Sequence, residues 1–173
     1  SGGGLLAGVA TAIRHLAPAV RVIGVEPACT PRMTRSLLAG HPVTVAASSG
    51  VADGLLAVRP GEVTFCHIKA YVDEVVTVDD EAIIRAVRWI YDNTRLVAEP
   101  SGAAAVAAVL ARSDPSWARD GAYAGSTDQR PAVAIISGGA ALASLADWRA
   151  ARDEAAVVEV DLVLLLRAPL AVV

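Results

Sequence analysis

Residues 1–27 read SGGGLLAGVATAIRHLAPAVRVIGVEP, and the changes of pattern within them decide the fold class. Ser1, Gly2, Gly3 and Gly4 form a run almost without side chains. Leu5 to Leu16 then places apolar residues at helical spacing and is followed at once by a proline, which cannot continue the hydrogen-bond ladder. VRVIGVE is a short β-branched run of the kind buried on both faces by covering helices. Glycine turn, helix, strand is an α/β order.

The same alternation continues outward. TPRMTRSLLAG predicts a short helix, with Thr30 as cap, Pro31 at the first helical position and Gly40 at the end. Residues 41–54 are loop-like. GEVTFCHIKAYV predicts a surface helix, DEVVTV a strand, and DDEAIIRAVRWIYDNTR an amphipathic helix with an acidic, capped start. EPSGAAAVAAVLAR is a further helix, rich in alanine and so able to lie close against a neighbour. After a polar loop over 113–131, AVAIISGG reads as a buried strand running into a glycine turn, the place where ligands bind in open α/β sheets. ALASLADWRAARDE predicts a last helix. Residues 1–154 are read as one catalytic-domain portion and 155–173 as an apolar tail of unknown role, with no period that defines a helix or strand.

The 173 residues can bury a substantial core, and 54% of them are hydrophobic, too many for disorder. A net charge of −3 without charge runs offers no basic field to nucleic acid and favours a small-molecule substrate. Cys29 and Cys66 lack metal-ligand spacing and read as reduced thiols. No signal-peptide pattern appears, and Arg167 interrupts the apolar C-terminal segment well short of the roughly 20 residues a membrane span needs. A soluble, cytoplasmic protein without a membrane or nucleic-acid partner is expected. Because the chain opens on glycines with no strand before them, a segment preceding Ser1 is also expected.

Glycines let backbone N–H groups approach an anion, and a helix N-terminus adds about half a positive charge, so residues 1–5 form a candidate phosphate cradle. The competing reading is a plain flexible turn. A specific rival is an NAD-type dinucleotide site, because Gly2, Gly4 and Ala7 satisfy G-x-G-x-x-A and Glu26 ends the following strand. Two further small-residue turns, Glu99–Ala104 and Ser137–Ala140, have no use in a plain dinucleotide domain.

The ordered set SGGGL, GVEP, ADGL, TF, VAEPSGAAA and ISGG resembles the fold-type II pyridoxal-phosphate enzymes, and among them the threonine/serine dehydratases and serine racemases. The resemblance runs from Ser1 to about Ala151. It implies an α/β architecture like the tryptophan synthase β chain, incomplete at its start, with a sheet covered by helices. It also implies that Ser1, Gly2, Gly3, Gly4 and Leu5 bind the phosphate of pyridoxal phosphate, that Ser137 meets the pyridine nitrogen, and that Glu99 lies near the ring. For Glu99, capping of the following helix is the competing reading, and for Asp53 it is a turn residue before Gly54. Glu26, with a backbone carbonyl near Thr30, matches a family site for a divalent cation. Arg32 stands where that site's second acid would be, which argues against a cation and for a Glu26–Arg32 pair. Ala140 replaces the asparagine usual after SGG.

The resemblance implies deamination of L-threonine or L-serine to a 2-oxo acid and ammonia, through a lysine that carries the cofactor as a Schiff base. The chain has one lysine, Lys69, read as an ordinary solvated residue in a helix far from the glycine turns. No catalytic residue is therefore assigned within the chain. The reactive lysine is expected upstream of Ser1, the isolated chain is expected to be inactive, and the full-length parent is expected to be a homo-oligomer. Alternatives are serine racemisation by that parent, a dinucleotide-binding domain, and a non-catalytic interaction fragment. His15, His41 and His67 have no triad or metal spacing, and the three tryptophans form no base-stacking platform.

Overall fold

Helices and strands alternate as α1 (Gly4–Leu16), β1 (Arg21–Pro27), α2 (Arg32–Ala39), a 3-10 turn (Asp53–Leu55), α3 (Glu62–Tyr71), β2 (Glu74–Val78), α4 (Asp80–Thr94), α5 (Pro100–Ser113), β3 (Ala132–Ala134) and β4 (Val163–Arg167). They are seen in a computed structural model, which describes residues 2–113 and 132–137 and the backbone of 163–167. Ser1, Ala140 and the helix expected over 141–154 lie outside the described residues.

The sheet order is β2-β1-β4-β3. β1 and β2 are parallel, with Ile23 opposite Glu74 and Pro27 opposite Val78. β4 is antiparallel to β1 on one side and to β3 on the other. β1, β2 and β3 therefore share one direction, and their carboxyl ends line one edge of a mixed sheet. β4 comes from the segment in which no period could be read. Its sequence VLLLR is continuous and apolar, as expected of a strand paired on both sides.

Side-chain alternation along the strands divides the core in two. Ile23, Val25, Val76 and Val78 face α4 and α5, where they meet Ala82, Ile83, Ala86, Ile90 and the alanines 103–105, 107 and 108. Val22 and Val75 face the other way, toward Leu6, Ala7 and Ala10 of α1, Met33 of α2, and Phe65 and Ile68 of α3. β1 thus explains its lack of polar alternation: both of its faces are covered.

Caps fix the ends of these helices. The Asp79 side chain accepts a 2.7 Å bond from the Ala82 amide, the predicted start of α4. α2 departs from expectation. It begins at Arg32 with Pro31 before it and no cap from its own N-terminal residue, so Thr30 does not cap it. Thr30 Oγ1 lies instead 2.5 Å from Ser48 Oγ, and the capping group comes from the end of β1, as described below.

Candidate functional site

Short connections decide which helix ends reach the carboxyl edge of the sheet. α1 enters β1 after four residues, and α3 enters β2 after two, 72 and 73. Each helix must run back along the sheet, with its N-terminus at the carboxyl edge. Asp73 holds the opposite edge together, accepting from the Val22 amide at 2.7 Å and from Arg14 at 3.3 Å.

At the carboxyl edge the glycine run meets α3. The Gly61 amide donates to the Gly2 carbonyl at 3.0 Å, and Thr64 Oγ1 donates to the same oxygen. The expectation that the helix bearing Lys69 stands far from the glycine turn is therefore corrected: its first turn grips that turn. Lys69 itself lies near the other end of α3, exposed, with Nζ 3.2 Å from the Gly40 carbonyl.

Two of the three described glycines in the run have no room for a side chain. Gly3 has φ 94° and precedes α1 directly; a Cβ there would lie 2.9 Å from Ile68 Cδ1 and 3.2 Å from Met33 Cε. At Gly2 a Cβ would lie 2.9 Å from the Gly61 nitrogen. At Gly4 it would meet nothing within 4 Å. The first helical bond of α1 is Ala7 N–H to the Gly3 carbonyl, 3.0 Å, and no side chain caps the helix. The amides of Gly4, Leu5 and Leu6 thus have no intrahelical acceptor and no side-chain cap among the described residues.

A second group assembles at the start of α5. The Gly54 amide, in the 3-10 turn, donates to Ser101 Oγ at 3.0 Å and to Asp53 Oδ1 at 2.9 Å. Glu99 is half-buried; burial first, then the Asp53 charge, pushes its carboxyl above the usual range. A Cβ on Gly102 would overlap the carbonyl oxygen of Ser137. Ser137 Oγ is buried and has no hydrogen-bond partner among the described residues. Two residues earlier, Ile135 packs against the core cluster that α1, α2 and α3 share, so the chain leaving β3 lies between the two groups.

Glu26 is fully buried at the end of β1. One carboxylate oxygen accepts from the Met33 amide at 2.9 Å; the other accepts from the Thr34 amide at 2.8 Å and from Thr34 Oγ1 at 2.7 Å. It caps α2 in place of Thr30. Arg32, equally buried, lies within reach of its charge and donates to the Leu55 carbonyl at 2.8 Å. Burial pushes the Glu26 carboxyl up and the Arg32 guanidinium down, and each is opposed by the other's charge. Both oxygens of Glu26 are occupied and a guanidinium stands beside them, so Glu26 and Thr30 do not fit a divalent cation.

Among the described residues no three His, Cys, Asp or Glu side chains converge to hold a metal, and no helix is long and apolar enough to cross a membrane. Cys29 and Cys66 are free and exposed. His67 Nδ1 lies 3.0 Å from Thr11 Oγ1, and the rings of His15 and His67 flank Tyr71.

A family profile described as pyridoxal-phosphate dependent enzyme matches residues 1–138, from the glycine run to just past Ser137. The chain belongs to that family. It is 42% identical over 113 residues to the L-threonine ammonia-lyase of Thermotoga maritima, covering 65% of this chain and 28% of that one. Identity to the serine racemase of Arabidopsis thaliana is 39% over 113 residues, covering 65% of this chain and 34% of that one. The crystal structure of a T.th. threonine deaminase matches with a TM-score of 0.62 at 43% identity, over 64% of this chain and 40% of that one. The chain thus spans about a third of the length of these curated relatives.

For this pyridoxal-phosphate family member the rival dinucleotide reading is set aside. Its glycines and Ala7 lie inside the family match, and the Glu26 carboxylate is fully buried and turned to α2, out of a ribose's reach. The residues present do fit the family's cofactor. One end of the edge offers the first amides of α1, with free space where a Cβ on Gly4 would lie, and the other a buried hydroxyl at Ser137 with no partner among the described residues. Sequence reading missed the roles of Gly61, Thr64, Ser101 and Gly102. Thr64, Ser101 and Gly102 fall within the motifs TF and EPSGAA, yet nothing in one dimension shows what each of them touches.

Proposed function

We propose that this chain is the cofactor-cradling part of an enzyme that deaminates L-threonine or L-serine to a 2-oxo acid and ammonia. The observation that carries this reading is the buried Oγ of Ser137, without a hydrogen-bond partner among the described residues, on the same sheet edge as the first amides of α1. When bound, pyridoxal phosphate supplies the electron sink for the pair left at the substrate's α-carbon. Gly4, Leu5 and Leu6 would hold the phosphate through their amides, aided by the positive end of α1. Gly2 and Gly3 keep that turn pressed onto α3 and Met33. Ser137 Oγ would donate to the ring nitrogen. A hydroxyl carries no negative charge to keep that nitrogen protonated, which leaves a weak sink, suited to expelling a β-hydroxyl and unsuited to a long-lived carbanion. Glu99, holding its proton to higher pH than an ordinary glutamate, is suited to keep a proton near that ring.

Lys69 does not supply the lysine such chemistry requires. Exposed and bonded to the Gly40 carbonyl, it is neither desolvated nor at the carboxyl edge. We therefore assign the reactive lysine to a segment outside these 173 residues and expect the isolated chain to be inactive. Racemisation of serine is a second reading for the whole enzyme, supported by the likeness to the Arabidopsis protein.

Titration of the chain with pyridoxal phosphate and, separately, with NAD tests the reading, followed by an assay for 2-oxobutanoate from threonine. Saturable binding of the former alone, with no turnover, is expected. Preference for NAD, or turnover near that of a full-length relative, would sink it.

A further inference from the structure

Arg32 is an expensive residue to bury. A guanidinium loses its hydration there, and nothing in the packing of an α/β layer demands one. It is nonetheless fully buried, at the first position of α2, beside the equally buried Glu26. A positive charge at a helix N-terminus is also disfavoured by the helix dipole. Two unfavourable terms are accepted at one position, and the contacts show what offsets them.

The guanidinium spans three pieces of backbone. It is anchored in α2, coupled by charge to Glu26 at the end of β1, and bonded at 2.8 Å to the carbonyl of Leu55 in the 3-10 turn. That turn is held from the other side by the Gly54 amide, which donates to Ser101 Oγ at the start of α5. Asp53, in the same turn, is the charge that acts on Glu99. Arg32 therefore reaches the Glu99 and Ser137 region at one remove, through the 3-10 turn. In charge and in connectivity it does what a bound cation between a strand-end carboxylate and a loop carbonyl would do.

We propose that Arg32 is a positioning residue that serves as a built-in cation: it neutralises Glu26 and holds the Asp53–Leu55 turn against the start of α5, so that this site takes no divalent metal ion. The proposal rests on the functional reading above for the identity of the site it positions. Arg32 touches neither substrate nor cofactor.

The test needs no cofactor. Thermal unfolding of the unaltered chain is compared in Mg²⁺ and in EDTA, and the same pair of conditions is applied to Arg32→Asp, which restores an acid beside Glu26. No shift is expected for the unaltered chain, and an upward shift in Mg²⁺ for Arg32→Asp. A Mg²⁺-dependent shift of the unaltered chain, or a folded Arg32→Asp indifferent to Mg²⁺, overturns the proposal. Positioning is read by amide hydrogen exchange in Arg32→Gln. The Gly54 and Leu55 amides should exchange at least severalfold faster, while that of Ile83 in α4 is unchanged; uniform acceleration at all three overturns it. Should Arg32→Gln not fold, Arg32→Lys gives the same readout, because the ammonium keeps the charge and loses the planar fork. Failure to bind pyridoxal phosphate would count against the functional reading alone, since none is present in these measurements.

Discussion

The carbonyl oxygen of Ser137 occupies the space that a side chain on Gly102 would fill. One residue at the start of α5 therefore sets how closely β3's outgoing chain can approach, and so where the Ser137 hydroxyl is presented.

Replacing Gly102 by alanine should separate the two segments. The obstacle is backbone and cannot rotate away, so a loss of about 3 kcal/mol, the upper end for overpacking, is expected in urea unfolding. The companion substitution Gly8→Ala meets nothing within 4 Å in mid-α1 and should instead stabilise by about 0.5–1 kcal/mol.

Gly3 and Gly4 should respond differently to alanine. Gly3→Ala forces a left-handed backbone on a residue with a Cβ and crowds Ile68, which costs at least ~1–2 kcal/mol. Gly4→Ala fills only open space, so stability should hold while affinity for pyridoxal phosphate falls. Melting curves and cofactor titrations on the two variants decide it; an unchanged affinity for Gly4→Ala would place the phosphate elsewhere.

Ser137→Ala removes a buried hydroxyl without a partner among the described residues. Without cofactor the variant should be more stable by about 1 kcal/mol, the lower bound for an unsatisfied buried group. With cofactor it should bind roughly fivefold more weakly, the worth of one neutral hydrogen bond of ~1 kcal/mol. A destabilised variant without cofactor would show that the hydroxyl already has a use.

The Glu99 carboxyl is raised by burial and by Asp53, so the folded chain holds that proton more tightly than the unfolded one. Stability from this group is greatest in acid and is lost as pH rises from the ordinary glutamate range through the folded value. Glu99→Gln removes the dependence. The stability difference between Glu99→Gln and the unaltered chain should therefore grow in favour of glutamine from acid to neutral pH. A difference independent of pH in urea unfolding would show that the carboxyl is not shifted.

Much of this architecture is legible in one dimension because helices and buried strands impose periods on their residues. α4 announces itself through Asp79 and the spacing of Ala82, Ile83, Ala86 and Ile90. β1 does so through its unbroken apolar run. β4 does not, since three consecutive leucines fit a strand, a helix or an interface equally well, and only pairing partners distinguish them. Thr30 misleads for a related reason. Local cap rules consider neighbours in sequence, whereas the carboxylate that caps α2 arrives from the end of a strand, outside the span those rules examine.

From the order of residues alone came the α/β alternation and the family likeness, because each depends on a local period or on a motif read in series. The tertiary structure decided that α3's first turn grips Gly2, that Ser101 ties down Gly54, that Gly102 makes room for Ser137, and that Glu26 caps α2. These facts join residues far apart in the chain through packing and desolvation, which act across space and leave no periodic trace along a sequence.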